Sequence, residues 1–169
     1  TGGMGAYSPA SLINNELENK ILNKIIEPTL KAIGEMNEKY IGFLYAGLMI
    51  KNNEPYLIEY NVRMGDPECQ VVLPRIQNDF MDLLISCTNQ NLDKVNLEFD
   101  SEYYTNVVLA SKGYPEDYKK GFEILGLNEV DDSIVFHAGT SFNNDKIVTN
   151  GGRVLSVVSS AKTMKEALK

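Results

Sequence analysis

The sequence predicts an α+β protein in two parts: helices with an antiparallel ribbon over residues 1–90, then a small β-rich domain over 91–169. Three observations carry this reading. Apolar residues recur at helical spacing between Leu17 and Ile33 and again around Leu83. Two apolar runs, 41–50 and 56–63, flank the turn cluster Lys51-Asn52-Asn53-Glu54-Pro55 and so form a hairpin. Beyond a polar, acidic stretch at 89–101, the texture changes to short strands punctuated by glycine and asparagine turns, the pattern of a small sheet or partial barrel.

Taken in order, the chain opens on Thr1-Gly2-Gly3-Met4-Gly5, which suits either a flexible linker or a loop whose amides approach phosphate or carboxylate. Leu17, Ile21 and Ile25, with Leu22, Ile26, Leu30 and Ile33, then mark a helix. Pro28 should kink it or start a second one. Residues 41–50 are apolar and small and read as a buried strand. Residues 79–87 form an amphipathic helix with Phe80, Leu83, Leu84 and Cys87 on one side. Strands are expected at 106–110, 134–142, 146–149 and 154–158. Thr163 and Glu166 have capping-box spacing, which starts a helix just before the sequence stops. With the glycine-rich opening and no initiator Met, this leads to the expectation of a piece of a longer enzyme.

Composition narrows the function. Hydrophobic residues at 43% and charged residues at 23% are globular values. A net charge of −7 argues against nucleic acid or an anionic membrane as partner. Arg63, Arg75 and Arg153 still leave room for a small phosphate ligand. No apolar run reaches transmembrane length. Cys69 and Cys87 fit neither a disulfide framework nor a zinc cluster, so reduced thiols and a cytoplasmic protein are expected.

The chemistry concentrates in Glu59-Tyr60-Asn61-Val62-Arg63, which runs into Met64-Gly65-Asp66-Pro67-Glu68. On a strand, Glu59, Asn61 and Arg63 share one face, with neighbouring positions on that face about 7 Å apart. Carboxylate and amide oxygens suit a hard divalent cation, and the planar guanidinium suits phosphate or carboxylate oxygens. The turn beyond carries two more carboxylates.

This stretch, taken as Glu59–Gln70, with Thr1–Tyr7 followed by Ser8-Pro9, 44–49, Gly113-Tyr114-Pro115, 136–140 and 151–155, resembles the phosphoribosylamine–glycine ligase family, the glycinamide ribonucleotide synthetases of the ATP-grasp superfamily. The matches are ordered and span essentially the whole chain. The resemblance implies the C-terminal half of an ATP-grasp domain followed by the small β-rich domain. It implies ATP-dependent ligation of glycine to 5-phosphoribosylamine through a glycyl phosphate, with Mg2+ or Mn2+. It places metal ligands at Glu59 and Asn61 and a catalytic phosphate contact at Arg63. Substrate or phosphate contacts fall at Gly2, Gly3, Gly5, Asp66 and Glu68. The N-terminal part of such an enzyme, which holds adenine and phosphoribosylamine, would be the missing partner, and the chain alone would be inactive. Departures are small: Tyr60 and Met64 stand where the family more often has Phe, and Cys69 where it often has Thr. Leu48 sits where several ATP-grasp relatives place an acidic ligand.

Two alternatives remain open. One is another ATP-grasp carboxylate–amine ligase or carboxylase; the other is a non-catalytic metal- or nucleotide-binding module. His137 reads as a hydrogen-bonded structural residue, and Tyr114-Pro115 as a turn. Arg153 either ends a tight turn or reaches the site's rim. The long apolar run 41–50 is expected to drive self-association.

Overall fold

The computed structural model describes residues 2–36 and 39–169, so Thr1, the first residue of the opening loop, lies outside them. The chain divides into two compact units, neither a continuous stretch: Thr1–Pro9 with Asp66–Gln77 and Phe99–Lys169, and Ala10–Gly65 with Asn78–Glu98. The sequence boundary near residue 90 falls inside the second of these. Every strand pairing is antiparallel. No helix among the described residues is long and apolar enough to cross a membrane.

In the unit built on Ala10–Gly65, Asn14 caps α1 (Asn15–Ile21) by accepting from the Leu17 amide at 2.9 Å. The chain continues without a break through a π-helical segment, Leu22–Ile26, into α2 (Glu27–Glu35). Pro28 stands in the first turn of α2, so a second α-helical segment does start there, without a break from the segment before it. The proline has no N–H to give the carbonyl four residues back, and the wider turn just before it, closed by Glu27 N–H to Leu22 C=O, accommodates its ring. Beside it, the Ile25 carbonyl accepts from two side chains: the Thr29 hydroxyl at 2.8 Å and the Tyr60 hydroxyl at 3.0 Å. Tyr60 thereby ties the hairpin to the helix, with Leu17 and Ile25 buried beneath.

That hairpin pairs β2 (Tyr45–Lys51) with β3 (Glu54–Asn61) through Asn52 and Asn53, both at positive φ as a tight two-residue turn requires. The expectation of a buried strand over 41–50 is corrected here. The strand begins only at Tyr45, so Ile41 and Phe43, both exposed, precede it, and Met49 on it is exposed because a two-stranded sheet packed on one side leaves its other face to solvent. Helix α4 (Phe80–Thr88) agrees with expectation, Asp79 capping it through the Met81 and Asp82 amides. Its Phe80, Leu83, Leu84 and Cys87 are half-buried, while Met81 and Ile85 are exposed.

In the other unit a four-stranded sheet runs in the order β1-β4-β8-β5, formed by Gly5–Ser8, Tyr103–Ala110, Arg153–Ala161 and Ile134–His137. Of the expected opening loop, residues 2–4 lie outside any element, and Gly5 begins the edge strand β1. The strand expected over 134–142 divides at Ala138-Gly139 into β5 and β6 (Thr140–Asn143), and β6 pairs with β7 (Lys146–Thr149) in a separate hairpin. Helix α3 (Cys69–Val72) packs on the sheet, burying Val71 with Tyr104 and Val158 against Ala6 and Phe136. Helix α5 (Met164–Ala167) starts at Thr163, whose hydroxyl accepts from the Glu166 amide at 3.3 Å and meets the Glu166 carboxylate at 2.8 Å.

Candidate metal and phosphate site

Glu59 and Asn61 stand on β3, two residues apart, and their side chains meet: Asn61 Nδ2 donates to Glu59 Oε1 at 3.2 Å. Glu59 is exposed and Asn61 half-buried. Across the hairpin, Glu59 pairs with Gly47 and Asn61 with Tyr45, so these four share a face. A bulge between Gly47 and Leu48 leaves Ile58 unpaired, since Leu48 pairs with Leu57. Leu48 therefore faces away from Glu59, and the β2 position that faces it is Gly47. A Cβ at Gly47 would lie 3.0 Å from Glu59 Cγ, so the missing side chain makes room for the glutamate.

Arg63 does not lie on this strand. Strand β3 ends at Asn61, and the chain bends through Val62 and Arg63. The expected three-residue face is corrected to two residues followed by a bend. Arg63 is exposed and Nη1 donates to the adjacent Met64 carbonyl at 2.9 Å. Its other N–H groups have no partner among the described residues.

The donor set fits a hard divalent cation. A carboxylate and an amide side by side on a solvent-facing strand supply two oxygens once the amide is turned by half a rotation, and water or phosphate oxygens complete the shell. Among the described residues, no group of three or more His, Cys, Asp and Glu could hold a metal. From this strand a cation would have the Glu59 carboxylate and the Asn61 amide.

Asp66 and Glu68 fall in the sheet-bearing unit with Gly2, Gly3 and Gly5. Arg153, not Arg63, pairs with Asp66: Nη2 lies 2.6 Å from Asp66 Oδ2, and Nη1 donates to the carbonyls of Asp66 and Gly3, both at 3.2 Å. The glycines have packing reasons to be glycine. A Cβ at Gly3 would sit 2.4 Å from the Pro67 ring, and one at Gly5 2.7 Å from the Asn106 carbonyl. Asn106, 3% exposed, donates to the Pro67 carbonyl at 3.1 Å and holds the same turn from beneath. Glu68 is half-buried at the start of α3. Burial, and secondarily the Asp66 carboxylate, push the Cys69 thiol up. His137 is exposed and its Nδ1 meets Thr140 Oγ1 at 3.0 Å, a local turn contact.

Comparison with known proteins gives one family. Residues 1–69 match the phosphoribosylglycinamide synthetase ATP-grasp (A) domain, and residues 104–169 match the C domain of the same synthetase. The chain is 44% identical over 167 residues to the phosphoribosylamine–glycine ligase of Caldanaerobacter subterraneus, covering 99% of this chain and 40% of that protein. It is 45% identical over 168 residues to the ligase of the same name from Halalkalibacterium halodurans, covering 99% and 39%. The crystal structure of the Thermotoga maritima phosphoribosylamine–glycine ligase superposes with a TM-score of 0.86 at 35% identity, over 99% of this chain and 41% of that one. A phosphoribosylglycinamide synthetase from Anaerococcus prevotii, 13% identical with a TM-score of 0.63, shares the fold. The chain spans about 40% of the length of these curated relatives.

Proposed function

Because the chain belongs to the phosphoribosylglycinamide synthetase family, we propose that it serves the ATP-dependent ligation of glycine to 5-phosphoribosylamine, giving glycinamide ribonucleotide, ADP and phosphate. The observation that carries the reading is the pair Glu59 and Asn61, meeting at 3.2 Å on an open strand face. These two would hold Mg2+ or Mn2+, whose charge offsets that of the ATP phosphates. Arg63, in the bend with most of its guanidinium unpaired, would contact the transferring phosphoryl group. The glycine carboxylate takes the γ-phosphoryl group from ATP, releasing ADP, and the amine of phosphoribosylamine displaces phosphate from the glycyl phosphate. Positioning and charge neutralisation supply most of the rate in such a transfer.

Gly2, Gly3, Gly5, Asp66 and Glu68 would border the substrates. In this reading residues 1–90 are the second half of an ATP-grasp domain and 91–169 its small β-rich companion, at work in the cytoplasm. The family matches to residues 1–69 and 104–169 support that division. The remaining 60% of the relatives' length would hold adenine and phosphoribosylamine, so the isolated chain is expected to be inactive.

The test is to substitute this chain for the matching 41% of the Thermotoga maritima relative and measure ADP formation. Turnover that needs both glycine and phosphoribosylamine supports the proposal. A folded chimera with no such turnover overturns it, and an isolated chain that ligates on its own overturns only its expected inactivity.

A further inference from the structure

We infer that Arg153 is a positioning residue for the opening arm, holding Gly2-Gly3 against the Asp66-Pro67 turn in the shape an anionic substrate requires. This rests on the reading of the arm and turn as substrate-bordering. Arg153 begins β8, yet its guanidinium reaches across 150 positions to the Gly3 carbonyl and across 87 to both the carbonyl and carboxylate of Asp66. One planar group thus ties three oxygens from two segments far apart in sequence. The rest of the clasp is built around it. The Gly2 amide donates to the Tyr114 hydroxyl at 2.9 Å, and the Tyr114 ring packs so closely on Gly152 that a Cβ there would lie 2.2 Å from it. A Cβ at Gly2 would lie 2.8 Å from the guanidinium carbon of Arg153, so the arm lies directly on the arginine. Asn106 donates to the Pro67 carbonyl, and Gly3 packs against the Pro67 ring.

Exposed ion pairs contribute little to stability, and Asp66 is 49% exposed in its side chain. What the clasp supplies is geometry. Two of its three Arg153 bonds go to carbonyls, so they orient the backbone of the arm and turn instead of merely neutralising a carboxylate. Lysine could not reproduce this, because a single ammonium lacks the fork that spans three acceptors.

The test is backbone relaxation by NMR on the isotope-labelled chain, followed by titration with inorganic phosphate. In the unsubstituted chain Gly3 and Met4 should be as ordered as β4, and phosphate should shift the arm amides. In both Arg153→Gln and Arg153→Lys, arm order parameters should fall below about 0.6 while β4 and β8 keep values near about 0.85. Phosphate affinity at the arm should fall at least about tenfold. Tyr114→Phe, which removes only the acceptor for Gly2, should loosen Gly2 and leave Gly3 ordered. An arm still ordered in Arg153→Gln, or restored in order and phosphate response by Arg153→Lys, overturns the role of Arg153. An ordered unsubstituted arm that ignores phosphate instead overturns its reading as an anion site, whatever the variants do.

Discussion

Gly47 lies directly across the hairpin from Glu59, and among the described residues no group of three or more His, Cys, Asp and Glu could hold a metal. A cation bound there has one carboxylate and one amide from the protein and must take its remaining oxygens from water or a ligand. Mn2+ binding by the chain, read by electron paramagnetic resonance, should therefore be weak with the ion alone and strengthen when inorganic triphosphate is added. Gly47→Asp should raise the affinity for Mn2+ alone by at least about tenfold, and Gly47→Ala should not. Tight binding of Mn2+ alone by the unsubstituted chain would contradict this.

Asp66 raises the Cys69 thiol second only to burial, which gives a pH signature. Asp66→Asn removes a negative charge beside the thiol, so the thiolate should form at lower pH and iodoacetamide should alkylate Cys69 faster at fixed pH. The linkage has a definite sign. Above the ordinary thiol range the unfolded chain has lost this proton while the folded chain keeps it, so stability falls as pH rises there. Asp66→Asn should reduce that alkaline loss, as urea titrations across the range would show.

Gly139 sits where β5 gives way to β6, and a Cβ there would lie 2.5 Å from the Gly151 Cα and 2.6 Å from the Arg153 carbonyl. Both neighbours are backbone and cannot swing aside. Gly139→Ala should cost about 3 kcal/mol in urea unfolding. Gly34→Ala, which meets nothing within 4 Å in the last turn of α2, should be neutral or stabilising. Equal effects from the two would contradict the packing argument.

The β2–β3 hairpin is a two-stranded sheet whose outer edges pair with no other strand among the described residues. Met49, Tyr56 and Ile58 on it are 57%, 55% and 63% exposed. Sedimentation of the chain at micromolar concentration should show self-association through this hairpin, weakened by Ile58→Lys. A single monomeric species without dye binding to apolar surface would count against it.

Elements governed by local chemistry were legible in the sequence. Asn52-Asn53 announced the hairpin, and the Phe80, Leu83, Leu84 and Cys87 spacing announced α4. Thr163 with Glu166 announced α5. What escaped was set by residues distant in the chain. The bulge that turns Gly47, not Leu48, toward Glu59 is a property of two paired strands. The division at Ala138-Gly139 follows from the close approach of Gly151. The pairing of Asp66 with Arg153, 87 positions away, left no local trace beyond an unassigned arginine after two glycines. The candidate metal pair was legible because strand alternation alone puts Glu59 and Asn61 together. Arg63 was misplaced because nothing in Val62-Arg63 signals that the strand has already ended.

The most direct measurement is ligation by the chimera with the Thermotoga maritima relative carrying Glu59→Gln, assayed as ADP formed with glycine and phosphoribosylamine over a range of magnesium concentrations. Glutamine keeps the shape of the side chain and removes its charge. Turnover should fall by about a hundredfold or more at ordinary magnesium, with the circular dichroism of the isolated variant chain unchanged. Near-normal turnover at the same magnesium would contradict the assignment of Glu59 as the residue that holds the cation.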